Sequence, residues 1–556
     1  MWPLDKIDRL RPLHYLALAL ICLAFFLPGQ ASLPPTDRDE SRFVQASKQM
    51  IESGNYTDIY FQNENRYKKP IGIYWLQSAS LKLTGAPLNE IWAYRLPSML
   101  AAVASVLLTV AIGARLFNPA VGLMAGMLLA SSLLMNIEAR LAKTDATLLV
   151  TILATHYALI SLWIKRAADK FHAALFWVAL AVGVLIKGPI IFIPVLPVLI
   201  WLCRRDRVLL KNLCPKWGVP LFFLIVLPWF VAITLKGGAA FWQASAGHDL
   251  IGKVKGGQES HGMPPGYYAV LFFATFWPGC LPAFLALPYL KQNWRQEKVA
   301  LLLLWIVPTW LLFELVPTKL PHYVLPAYPA IALLTALALQ VGFKPFRYKI
   351  FPLMAWGIWI VVTLGLALGF AALPLVAGQV ALWQMLSATA VTGLLVWFCR
   401  NHARLPTWKF TASHALLAAL FMLPLFGLTL PGFKHIWISE QVQDAITAEG
   451  CIDSHLISAR FNEPSLVFLN GTDTVLNATG EKAADWLAQY PASENPACRF
   501  ALVGRDHWQR FIDRLDAQPL DIERVADIRG FSYSTGRSVD MQLVRRAIPR
   551  ERLAIP

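Results

Sequence analysis

Long apolar runs separated by short polar connections dominate the first 430 residues, and windows of about 19 residues resolve them into helices. The runs fall near residues 13–30, 92–116, 119–136, 146–164, 173–187, 189–203, 217–236, 267–290, 299–317, 321–342, 350–373, 379–399 and 410–431. A bilayer core needs roughly 20 apolar residues per helical span, so the pattern predicts an α-helical polytopic membrane protein with about thirteen transmembrane helices. The first run, Leu13 to Leu27, is similar to a signal sequence. Many spans follow it and no clear small-residue cleavage site closes it, so it is read as a retained first helix.

The polar connections alternate in charge. With the N-terminus in the cytoplasm, the inner loops carry Lys165, Arg166 and Lys170; Arg204, Arg205, Arg207 and Lys211; Lys291, Arg295 and Lys298; Lys344, Arg347 and Lys349; Arg400, Arg404 and Lys409. That is the positive-inside arrangement. The odd span count sends the tail to the periplasm, or to the lumen of a eukaryotic compartment. The expected division is a transmembrane domain over residues 1–433, with a first outer loop at 31–91 and a large one at 237–266, followed by a small outer α/β domain over 434–556. Within that domain, residues 456–461, 465–470 and 500–504 read as strands, and 483–490 and 507–515 as helices.

Composition agrees with lipid as the main solvent: 56% of the 556 residues are hydrophobic and 15% charged, with a mean hydropathy of +0.49. The formal charge of +16 lies scattered in short loops, which topology explains without nucleic acid as a partner. No P-loop, dinucleotide fingerprint or nucleic-acid-binding motif occurs. Of seven cysteines, Cys451 and Cys498 fall in the outer domain; an oxidising compartment permits them to pair, and two unpaired buried thiols are the alternative.

The outer loops hold charges that topology does not call for. The first begins Asp37-Arg38-Asp39-Glu40-Ser41-Arg42, followed by Phe43, Ala46, Met50 and Ile51 at helical spacing, which predicts an amphipathic helix lying on the membrane. Acidic residues at a helix start suit its dipole, and lysines beside interfacial aromatics snorkel, so Tyr67-Lys68-Lys69-Pro70 followed by Tyr74-Trp75 has a plain reading too. Yet Glu138, Arg140, Lys143 and Asp145, then Lys187-Gly188-Pro189, then Lys319-Leu320-Pro321-His322-Tyr323 repeat the anomaly, as do His248, Asp249, Lys253, Lys255, Glu259 and His261 in the large loop. Ionisable groups beside hydrocarbon are costly, and several on one side mark a site. Carboxylates among lysines and arginines suit a membrane-anchored phosphate, with the cations holding the phosphate and a carboxylate acting as base.

At these motifs the sequence resembles the polyprenyl-phosphate-sugar-dependent GT-C glycosyltransferases, the family of the bacterial lipid A aminoarabinose transferase and, more distantly, the protein O-mannosyltransferases. Asp39-Glu40-Ser41-Arg42-Phe43, Lys69-Pro70 with Tyr74-Trp75, Arg95-Leu96-Pro97-Ser98, Lys143-Thr144-Asp145, Lys187-Gly188-Pro189 and Lys319 through Pro326 match in order over roughly residues 10 to 340. The resemblance implies a GT-C fold in the inner membrane, an undecaprenyl-type phosphate carrying one sugar as donor, and lipid A or another envelope glycan as acceptor. It implies Asp39 as the catalytic carboxylate, with Asp145 and Glu40 as further acids. Lys69 and Tyr323 match donor-phosphate contacts, with Lys68, Arg42 and Lys319 beside them and His248, His261, Lys187 and Arg140 as further substrate contacts. Where aminoarabinose transferases carry a metal-binding Glu, this chain has Lys68, which cannot ligate while protonated. No cofactor is therefore expected with certainty; a divalent metal would rest on His248. Large-loop residues Gly257 to Gly262 also depart from the family, and so does the C-terminal stretch. A protein O-mannosyltransferase-like enzyme is the alternative within the class. A lipid-linked sugar flippase or transporter is the alternative outside it, but transporters set their charges near the midplane on broken helices. A binding-only sensor is the third reading.

Overall fold

The computed structural model describes residues 9–245, 247, 252, 262–376, 393, 407–451, 453–489, 498–517 and 520–547. Helices dominate. In chain order they begin α1 (Pro12–Phe26), α2 (Asp39–Ser53), α3 (Gly72–Thr84), α4 (Ile91–Leu116), α5 (Pro119–Ser131), α6 (Leu133–Glu138), α7 (Thr144–Lys165), α8 (Lys170–Lys187), α9 (Phe192–Arg205), α10 (Val208–Asn212) and α11 (Pro215–Trp242). Further long helices run over Glu297–Leu315, Tyr328–Val341, Ile350–Val376 and Trp408–Pro424. Among the described residues eight helical stretches are long and apolar enough to cross a membrane. Many large apolar side chains on them, such as Leu224, Leu235, Leu315 and Leu368, face outward, as a lipid-solvated surface requires. The chain is thus a multi-pass membrane protein.

Prolines set the departures from the predicted spans. The run at 267–290 breaks into Tyr267–Thr275, Cys280–Leu285 and Leu287–Asn293, with Pro278 at the first break and Pro288 opening the third piece. The run at 321–342 starts as a 3-10 turn, Pro321–Ala327. The predicted span at 379–399 lies outside the described residues.

The segment between α1 and α4 folds into α2, a two-stranded hairpin of β1 (Tyr60–Phe61) and β2 (Glu64–Asn65), and α3. Gly72 sets the seat of α3: a Cβ there would lie 2.8 Å from the Leu185 carbonyl, so only glycine lets α3 approach the end of α8. The hairpin leans on α11, where Trp229 donates to the Thr57 carbonyl at 3.0 Å and Tyr67 packs edge-on against Phe241.

After residue 434 a four-stranded sheet forms in the order β3 (His455–Ala459), β4 (Arg499–Gly504), β6 (Arg537–Arg546) and β5 (Ile522–Ser532). β3 and β4 are parallel, while β6 runs antiparallel to β4 and β5. Helices Ile438–Ala448, Pro464–Asn470, Gly480–Ala488 and Arg505–Asp516 accompany it, and Cys451 and Cys498 form a disulfide. Residues 465–470, expected as a strand, are helical instead. Pro464 occupies the first helical turn, where its fixed φ favours a helix start, and Phe468 packs edge-on against Tyr94 of α4.

Candidate active site

The site begins at the start of α2. Thr36 donates from its backbone and its hydroxyl to Glu40 Oε2 at 2.8 and 2.9 Å, and Arg95 from α4 meets the same carboxylate through Nε at 2.8 Å and Nη2 at 2.9 Å. The Ala142 N–H adds a fifth donor. Both charged side chains are fully buried, and Arg95 also donates to the carbonyls of Gly29, Gln30, Leu33 and Pro34. Glu40 is therefore the post that fixes the α2 start, and its carboxylate accepts all five of these hydrogen bonds inside the protein. Burial raises its pKa, but Arg95 and these hydrogen bonds leave the carboxyl below its ordinary range.

Asp39, one residue earlier, is half-buried. Among the described residues its carboxylate accepts no hydrogen bond. Burial raises its pKa, and the charges of Lys143, Arg66, His322 and Arg42 outweigh that and hold it below the usual carboxylate range. Arg66 stacks its guanidinium 4.8 Å from the Phe43 ring centre.

Beside this cluster a cavity of about 450 Å³ opens between α7, α8, α11 and the turn at Pro321–Ala327. Lys68, Lys69, Asp145, Lys187, His322 and Tyr323 supply its polar wall. Ile193, Phe230, Phe241 and Phe313 are among its apolar residues. Gly188 turns the chain at the end of α8 with φ +66°, and this leaves Lys187 facing Asp145 of the first turn of α7 at 2.5 Å and the Tyr323 ring centre at 5.6 Å.

A chain of ionisable groups links cavity and cluster. His322 lies 3.7 Å from both Glu138 and Asp145, and Glu138 is 3.2 Å from Lys143. Burial pushes the Glu138 carboxyl up to about 7, with Asp145 adding to the rise against the opposing pull of Lys143 and Lys187, while Lys143, despite burial, is pushed up by Glu138, Asp145 and Asp39. Sequence reasoning placed Lys143 and Glu138 in the crowded loop without a role. It missed His322, whose only signal was its place inside the Lys319–Tyr323 motif, and Arg66.

Two expected contacts fall elsewhere. Lys319 caps the helix Glu297–Leu315, donating to the carbonyls of Phe313, Glu314 and Val316 at 3.2, 2.7 and 2.7 Å; a cation at a helix C-terminus is used up by the free carbonyls there. Arg140 donates to the carbonyls of Pro28 at 2.7 Å, Asn136 at 2.7 Å and Phe25, bracing the end of α1. Both side chains thus brace backbone carbonyls in this structure. His248 and His261 lie outside the described residues. Among the described residues no group of three or more His, Cys, Asp or Glu is placed to hold a metal ion.

Residues 68–231 match the family model for dolichyl-phosphate-mannose-protein mannosyltransferases. A stretch of 336 residues, 57% of this chain and 58% of the relative, is 30% identical to an undecaprenyl phosphate-alpha-4-amino-4-deoxy-L-arabinose arabinosyl transferase of Pseudomonas fluorescens. The corresponding protein of an Enterobacter species is 28% identical over 56% of this chain and 57% of its own. The matched stretch thus spans little more than half the length of these curated relatives. The crystal structure of ArnT from Cupriavidus metallidurans bound to undecaprenyl phosphate superposes with a TM-score of 0.71, covering 98% of this chain and 99% of that one at 19% identity; its apo form gives 0.69. The chain accordingly has the fold of ArnT from Cupriavidus metallidurans over nearly its whole length.

Proposed function

We propose that the chain is an inner-membrane glycosyltransferase that moves one sugar from a polyprenyl-phosphate-linked donor to lipid A or another envelope glycan or lipid on the periplasmic side. About thirteen spans, the basic inner loops and an extracytoplasmic domain over residues 434–556 belong to this reading, and the Cys451–Cys498 disulfide suits an oxidising compartment. The observation that carries it is the joining, in one cavity, of three lysines and Tyr323 to an apolar groove, beside the Asp39 carboxylate, which accepts no hydrogen bond among the described residues.

The donor phosphate sits among Lys68, Lys69, Lys187 and the Tyr323 hydroxyl, and its first isoprene units lie along Phe230, Phe241 and Phe313. As the bond from the anomeric carbon to the phosphate oxygen breaks, that oxygen gains negative charge, which preplaced ammonium groups stabilise more in the transition state than before it. Asp145 is already held by Lys187, so it acts by aiming that ammonium. Asp39 faces the acceptor and orients its nucleophilic hydroxyl or receives its proton. The polyprenyl phosphate and aminosugar in the relatives' names agree with this donor class, and the mannosyltransferase match over 68–231 keeps a protein hydroxyl as the second acceptor. The ammonium of Lys68 in the cavity wall favours phosphate over a cation.

The test is transfer in proteoliposomes containing undecaprenyl-phosphate aminoarabinose and lipid A, read by mass spectrometry. The expected product is lipid A heavier by one sugar. Sugar appearing only on protein hydroxyls selects the second acceptor, and folded protein that transfers to neither contradicts the proposal.

A further inference from the structure

The residues ahead of Asp39 are gripped by the far end of the chain. The Tyr533 hydroxyl accepts the Asp37 N–H at 2.6 Å, Arg38 donates to the Ser534 carbonyl at 2.9 Å, and Ser465 donates to the Asp37 carboxylate. Tyr533 and Ser534 form the tip of the β5–β6 hairpin, and Ser534 in turn donates to Glu463. The hairpin is itself seated: Tyr533 stands edge-on to Trp437 at 6.0 Å, Trp437 donates to the Leu430 carbonyl at 2.7 Å, and Gly530 lies so close to the His435 carbonyl that an added Cβ would clash at 2.3 Å.

The gripped segment is strained. Arg38 sits at φ 64° and ψ −101°, a conformation that costs a non-glycine residue free energy and persists only where the surroundings over-determine it. Arg38 is also the cap residue of α2, so its twist sets the direction in which the next residue, Asp39, leaves. From the other side the Glu40–Arg95 pair fixes the helix. Asp39 itself has no hydrogen bond among the described residues to hold it, so its aim depends on the backbone at both flanks.

We propose that the β5–β6 hairpin tip is a positioning element of the active site: Tyr533, with Ser465, holds Arg38 in its strained conformation and thereby aims the Asp39 carboxylate at the acceptor. The C-terminal domain then contributes to turnover and not only to covering the site. This rests on the proposed role of Asp39. It assigns Tyr533 no contact with substrate; it acts through Asp39.

Tyr533→Phe removes the hydroxyl and keeps the ring on Trp437. Misplacement of a reacting group by about 1 Å costs on the order of 100-fold in rate, so kcat is expected to fall about 10- to 100-fold, with KM and the dissociation constant for undecaprenyl phosphate unchanged and a normal yield of folded protein. Arg38→Gly relieves the strain at its source, so adding it to Tyr533→Phe is expected to return part of the lost kcat, which a purely structural role for the hydroxyl would not do. Hydrogen exchange supplies a readout independent of activity: amides of residues 38–42 should exchange faster in Tyr533→Phe than in the parent. Arg524→Ala, elsewhere in the hairpin, should leave kcat unchanged. Parent-like kcat in Tyr533→Phe, or unchanged exchange at residues 38–42, overturns the inference. If Asp39→Asn transfers sugar at the parent rate, the role of Asp39 has failed; if Asp39→Asn is inert while Tyr533→Phe is fully active, only the positioning inference has.

Discussion

Glu40→Gln separates a structural carboxylate from a catalytic one. Glutamine keeps the shape, but it replaces one of two accepting oxygens with a donating amide, although all five groups around Glu40 are donors. At least one N–H then faces another N–H or O–H, and the fully buried Arg95 loses its countercharge. Breaking one side of a buried ion pair costs about 3–5 kcal/mol. Because Arg95 keeps four backbone carbonyls as partners, the lower end, about 3 kcal/mol, is expected, equivalent to roughly a 100-fold shift in the folding equilibrium. Replacing both residues with leucine should cost less than the sum of the single changes, since no uncompensated charge remains. The assay is equilibrium unfolding in nanodiscs followed by tryptophan fluorescence, beside transfer rates for the folded fraction. A Glu40→Gln protein with parental stability and no transfer activity would refute the structural reading and return Glu40 to the reaction itself.

Four further outcomes follow from the same geometry. Tyr323→Phe and Lys69→Met should each weaken undecaprenyl phosphate binding about tenfold or more, the loss of one hydrogen bond to a charged group being worth roughly 1.5–3 kcal/mol, as titration calorimetry in detergent would report. Asp145→Asn, by freeing Lys187, should lower kcat without abolishing it, so complete inactivity with intact donor binding would give Asp145 a direct part. Replacing Cys451 and Cys498 by alanine opens a loop of 47 residues and should destabilise the C-terminal domain by about 2–4 kcal/mol, seen in chemical denaturation. Burial, with Glu463 adding to it and Ser465, Tyr533 and Arg38 opposing, pushes the Asp37 carboxyl up to about 7 from an ordinary value near 3.8. A raised folded-state value stabilises most below the unfolded value and is lost as pH rises through the folded one, so the hairpin contact should be protected from hydrogen exchange more strongly at pH 5 than at pH 8. Asp37→Asn should remove that difference.

Helical periodicity carried most of the membrane part because bilayer helices repeat one signal, hydropathy over about 20 residues, and that signal survives in a single sequence. It failed where proline acts locally: the run at 267–290 is apolar throughout, and hydropathy gives no sign that it breaks. Asp39, Lys69, Lys187 and Tyr323 stood out in the sequence through the motifs that hold them, and the structure brings Lys69, Lys187 and Tyr323 to one cavity. Glu40, Arg140 and Lys319 stood out as well, yet the structure uses them to satisfy buried donors and carbonyls, and no spacing rule separates a charge that braces from one that binds. His322 and Arg66 draw their significance from neighbours far away in sequence, Glu138, Asp145 and Asp39, so only the fold could expose them. The clamp of Tyr533 on Asp37 spans 496 positions and lies further still beyond local patterning.

A cryo-EM structure of the protein in nanodiscs with undecaprenyl phosphate tests the central claim most directly. The phosphate is expected within hydrogen-bonding distance of Lys69 and Tyr323, with Lys187 facing it and the prenyl tail along Phe230 and Phe313. A phosphate bound at the opposite ends of the helices, or a lipid that leaves the Lys69–Tyr323 cavity empty, would contradict it.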